Sequence, residues 1–67
     1  MDKLTPNERL IMIYINSSIQ TEFTIKELSK ALAIHIHHIR TYVYKLQYKN
    51  QLKLLKFGRE ITIIKNG

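Results

Sequence analysis

Apolar positions recur along this chain with helical spacing in its first two thirds and with strand-like runs at its end. The first segment opens at Thr5-Pro6-Asn7-Glu8. Thr5 supplies the hydroxyl of an N-cap and Pro6 suits the first helical position. Glu8 stands where a capping-box carboxylate reaches back to the cap amide. The helix predicted from there runs through Leu10, Ile11, Met12, Ile13, Tyr14 and Ile15 and stops near Asn16-Ser17-Ser18. Its apolar residues lie around the whole wheel, so it is either buried or covered by a partner.

Glu22-Phe23-Thr24 predicts a short strand, and Thr24-Ile25-Lys26-Glu27 repeats the capping pattern. Phe23 before the cap and Leu28 at the fourth helical position have the spacing of a hydrophobic staple. The second helix runs from Ile25 to about Leu32, with Ile25, Leu28, Ala31 and Leu32 at helical spacing. Ala33-Ile34 forms a turn, and a third helix runs from His35 to about Lys49. Ile36, Ile39, Val43 and Leu46 share one face of it. His37, Thr41, Tyr44, Lys45 and Tyr48 face the other way, with His38, Arg40 and Lys49 on the flanks. Asn50 tolerates the left-handed conformation that ends a helix. Leu52 to Phe57 and Glu60 to Ile64 read as strands joined at Gly58-Arg59. The apolar pairs Leu54-Leu55 and Ile63-Ile64 leave their register open.

The segment from Phe23 to Leu52, FTIKELSKALAIHIHHIRTYVYKLQYKNQL, resembles the core of winged helix-turn-helix DNA-binding domains. It has their Glu-Leu pair in the second helix, here Glu27-Leu28, and their small-residue turn, here Leu32-Ala33-Ile34. Ile39, Val43 and Leu46 follow the four-then-three spacing of their recognition helix. Asn50-Gln51-Leu52 stands where a Gly-Leu or Gly-Ile pair opens the wing. Four positions depart from the pattern. Ala33 and Asn50 replace glycines, His35 replaces a Ser or Thr cap, and Ile36 replaces a polar contact residue. The resemblance implies an α+β, mainly α fold over residues 1–67. That fold is a single small winged helix-turn-helix domain with three helices, a short strand and a C-terminal β-hairpin wing.

Charge sharpens this expectation. Residues 35–67 carry seven Lys/Arg against one Glu, whereas the four Lys/Arg and four acids of residues 1–34 cancel. The net charge of +6 therefore belongs to the third helix and the hairpin. A basic helix followed by a basic hairpin is suited to a polyanion, and double-stranded DNA is the expected partner. A helix has the width of the major groove. The expected DNA-binding residues are His37, His38, Arg40, Thr41, Tyr44, Lys45 and Lys49 on the helix, with Lys56 and Arg59 on the hairpin. Lys26 and Ser29 of the second helix are placed to touch backbone phosphate. Lys53 and Lys65 are further hairpin candidates, and lysines on small exposed strands also serve to block edge-to-edge aggregation.

Other chemistries have little to build on. There is no cysteine, no glycine-rich phosphate loop and no Ser-His-acid arrangement, so no enzymatic activity is expected. His35 and His38 have the spacing of a helical metal pair, but a stable zinc site needs a third and fourth ligand. No metal, cofactor or small-molecule ligand is expected. The longest apolar run, Leu10 to Ile15, is far shorter than a membrane span. The expected location is the cytoplasm, at the nucleoid when bound to DNA. The expected role is a small transcriptional regulator. The same chemistry serves plasmid or phage replication and maintenance, and the same fold serves protein–protein adaptors. A domain this small makes few contacts with DNA, so useful affinity needs a homodimer on a palindromic site or cooperative tandem binding. The apolar surplus of the first helix, Ile11, Met12 and Ile15, is the expected homodimer surface.

Overall fold

The computed structural model describes residues 3–65 of the domain expected over 1–67. It is an α+β fold, about half helical, with three helices against a three-stranded antiparallel sheet. In chain order the elements are α1 (Pro6–Ser17), β1 (Glu22–Thr24), α2 (Ile25–Leu32), α3 (Ile36–Tyr48), β2 (Leu52–Phe57) and β3 (Glu60–Lys65). The sheet order is β1-β3-β2, so the last strand lies in the middle. Phe23 pairs with Ile63, and Leu54 pairs with Ile63 from the other side. The pairing of β1 with β3 is a long-range contact that local periodicity does not announce.

Helix boundaries follow local chemistry. The Glu8 amide donates to the Thr5 hydroxyl, and the Glu8 carboxylate accepts from the Thr5 amide at 3.0 Å, which completes the capping box. The Thr24 hydroxyl accepts from the Glu27 amide at 3.0 Å and starts α2. α2 ends at Ala33, whose φ of 55° is left-handed, and the Ile34 amide then donates to the Ser29 carbonyl. The Ser29 hydroxyl donates to the Ile34 carbonyl at 2.6 Å and closes the turn from inside. His35 is the cap of α3 and not its first helical residue: its Nδ1 accepts from the His37 amide at 3.2 Å. At the other end Asn50 has φ 60°. The Gln51 amide donates to the Leu46 carbonyl and the Asn50 amide to the Gln47 carbonyl, a Schellman closure.

Every element contributes to the core. Ile11, Met12 and Ile15 of α1 meet Phe23, Ile25 and Leu28, then Ile39, Val43 and Leu46 of α3, with Leu52 and Ile63 from the sheet. Each fully buried Leu, Ile or Val side chain is worth about 1.5–3 kcal/mol against exposure. This corrects the expected self-association surface. Ile11 and Ile15 are fully buried and Met12 nearly so, because this one face of α1 closes the core over α2 and α3. The large apolar residues that α1 exposes are Leu10 and Ile13.

Glu8 lies on the same buried face as Ile11, Met12 and Ile15 and is itself 0% exposed. Among the described residues it is the buried charged side chain of the core. Lys49, just past α3, reaches it with Nζ at 3.1 and 3.2 Å from its two carboxylate oxygens. The same Nζ donates to the Lys3 carbonyl at 2.9 Å. Tyr42 adds a second tie between these helices, its hydroxyl accepting from the Asn7 side-chain amide at 2.8 Å.

Candidate nucleic-acid interface

Burying Ile39, Val43 and Leu46 fixes the rotation of α3 and turns the opposite face to solvent. His37, Thr41, Tyr44 and Tyr48 form an outward stripe along that face, and all four are exposed. His38 and Lys45 are exposed beside it. At the start of the helix the His35 and His37 rings stack with centroids 5.0 Å apart, and His38 lies 6.1 Å from His35. Capping occupies the Nδ1 lone pair of His35.

The hairpin stands beside this helix. Its two-residue turn places Gly58 at φ 59°, and the pairing of Phe57 with Glu60 across it fixes the register. Glycine at the first central position is the requirement of a type II′ turn. In that register Leu52, Leu54 and Lys56 share a face with Ile61, Ile63 and Lys65. Leu52 and Ile63 are buried, so Lys56 lies on the inner side, past the end of the core.

There it meets the third helix. Arg40 and Tyr44 of α3, with Lys56, Gly58, Arg59 and Ile61 of the hairpin, line one open groove. The groove continues past Arg40 and Arg59 to Lys26 at the start of α2, over a floor that includes Ile36 and Ile61. Four cationic side chains from three elements thus border one depression. Glu60 is the acid at its rim.

The structure divides the expected interface residues. Arg40, Tyr44, Lys56 and Arg59 come together in the groove. His37, Thr41, His38 and Lys45 lie on the outer surface of α3 next to it. Lys49 does not belong to this set: its ammonium group is committed to Glu8 and to the Lys3 carbonyl. Ser29 spends its hydroxyl proton inside the turn, and Lys65 donates to the Ser18 carbonyl at 3.0 Å. Both therefore serve the fold. Sequence reasoning gave Lys26 a secondary place, yet it borders the same groove as Arg40 and Arg59. Tyr48, which is not among the expected DNA-binding residues, is the most exposed tyrosine of the helix at 86%. Ile36 packs partly against the core and lines the groove beside Arg40.

Among the described residues, the Glu8 carboxyl is held below its ordinary pKa. Burial by itself raises its pKa. The Thr5 amide and hydroxyl and the Lys49 ammonium outweigh that effect, and the net shift is downward.

Comparison with family models, curated proteins and solved structures finds no match for this chain. Among the described residues, no helix is long and apolar enough to cross a membrane.

Proposed function

We propose that this protein is a winged helix-turn-helix domain that binds double-stranded DNA in a sequence-specific manner and acts as a small transcriptional regulator. In this reading α3 enters the major groove with its outward stripe toward the base edges. The β2–β3 hairpin is the wing, and Arg59 at its tip contacts the flanking backbone or minor groove. Arg40 and Lys56 hold phosphate between helix and wing, and Lys26 extends that contact along the strand.

The observation that supports it most is the convergence of Arg40, Lys56 and Arg59 on one groove beside an exposed helix face. Arg40 comes from α3, whereas Lys56 and Arg59 belong to the hairpin, so two separate elements bring these charges together. Scattered solvating charges have no reason to meet in this way, whereas a curved polyanion passing between helix and hairpin meets all of them. The absence of compensating acid in the second half of the chain, apart from Glu60, leaves their field unneutralised.

Fluorescence anisotropy of a labelled random-sequence duplex tests the reading. At roughly 50 mM salt, where non-specific contacts are strong, the protein should bind the duplex and heparin should displace it. Absence of binding under those conditions contradicts the proposal. The protein should then be tested as an adaptor for an acidic protein partner.

A further inference from the structure

We propose that the outward stripe of α3 selects thymine, and that the methyl group of Thr41 reads the 5-methyl group of the base. This rests on the duplex-DNA reading above and adds to it the source of sequence preference. His37, Thr41, Tyr44 and Tyr48 follow one another at steps of four, three and four, so they form one ridge along the helix. Tyr48 is 86% and Tyr44 43% exposed. The Thr41 hydroxyl donates to the His37 carbonyl at 3.1 Å. Its hydroxyl proton is therefore committed to its own helix, which leaves the methyl as the group it can offer to a base. The two phenol rings that follow it add further carbon to the ridge beside their hydroxyls.

The side chains that read bases through paired hydrogen bonds are Arg, Lys, Asn and Gln. None of them stands in this stripe. Arg40 faces the hairpin groove, and Lys45 and Gln47 lie on either flank of the ridge. The base edges in the major groove offer one apolar group, the thymine methyl, among donors and acceptors. A carbon ridge covers polar base-edge atoms of any pair without replacing their hydrogen bonds, which is unfavourable, and thymine alone offsets that with an apolar group. Set against thymine it buries methyl on methyl, worth about fourfold in affinity per group. Phosphate contacts by Arg40, Lys56 and Arg59 fix position and carry no base information directly. Discrimination then falls to the ridge and to Lys45 exposed beside it, and the methyl of Thr41 supplies the thymine-specific part.

The test compares alternating poly(dA-dT) with alternating poly(dA-dU), which carry the same backbone charge and differ by the methyl group. Wild type should bind the thymine polymer about fourfold more tightly. Thr41→Val keeps a methyl and loses the hydroxyl, and should keep the preference. Thr41→Ser keeps the hydroxyl and loses the methyl, and should move the ratio toward one with the salt dependence unchanged. Circular dichroism of each variant checks that the exposed substitution leaves the fold intact. Equal binding of the two polymers by wild type, or an undiminished preference in Thr41→Ser, overturns the thymine reader and leaves DNA binding in place. Failure to bind either polymer at roughly 50 mM salt overturns the DNA reading and this inference with it.

Discussion

Glu8 is held from two directions, by the cap residue at the start of its own helix and by Lys49 beyond the end of α3. A buried carboxylate that loses its cation is left uncompensated, and breaking such a pair costs about 3 kcal/mol. Lys49→Ala should therefore destabilise the domain by about that amount in urea unfolding, while leaving the salt dependence of DNA binding as in wild type. The pH dependence follows from the same residue. Its folded pKa lies below the ordinary value of 4.5, so the unfolded chain binds the extra proton in the interval between the two. The contribution of Glu8 to stability is present above pH 4.5. It should be lost as the pH falls from there through the folded pKa. A melting temperature followed downward from neutral pH should show this fall, and Glu8→Gln should flatten it. The capping box was legible in the sequence because Thr5 and Glu8 are three residues apart. The partnership with Lys49 was not, because no local pattern connects residues 41 apart. Sequence pattern alone therefore places Lys49 among the surface cations of the third helix.

At the scale of elements, helix and strand positions were legible because caps and turn residues punctuate the chain. What the pattern left open was rotation and pairing. α1 is apolar all round, so periodicity could not choose between its faces. The tertiary structure buries Ile11, Met12 and Ile15 together with Glu8 and exposes Leu10 and Ile13. Strand register was hidden by the double apolar pairs and is set by the Gly58-Arg59 turn and by β1 on the far side of β3. The α2–α3 turn holds a mismatch that invites repair. Ala33 is left-handed at φ 55°, a conformation that costs an L-residue about 1–2 kcal/mol. Ala33→Gly removes that strain and loses some unfolded-state advantage. It should raise stability by about 0.5–1 kcal/mol, read from the denaturant midpoint at unchanged slope. A loss of stability would mean that the Ala33 methyl group makes packing contacts that outweigh its backbone strain.

At the scale of the molecule, charge and packing are segregated. The first 34 residues, net neutral, supply α1, β1 and α2, most of the scaffold that orients α3. The remainder carries the whole excess of positive charge on the helix and hairpin. The charge division was readable by counting. The groove was not, because it depends on the inward side of Lys56 and on the placement of the hairpin beside Arg40 and Tyr44. The most direct test of the central claim is the salt dependence of binding to random duplex DNA, measured for wild type, Arg40→Ala, Arg59→Ala and Lys49→Ala. Each phosphate contact contributes about −0.9 to the slope of log affinity against log salt. The account predicts that Arg40→Ala and Arg59→Ala each flatten the slope by about that amount, while Lys49→Ala keeps it. Equal slopes for wild type and both arginine variants would contradict the groove as the DNA-binding site.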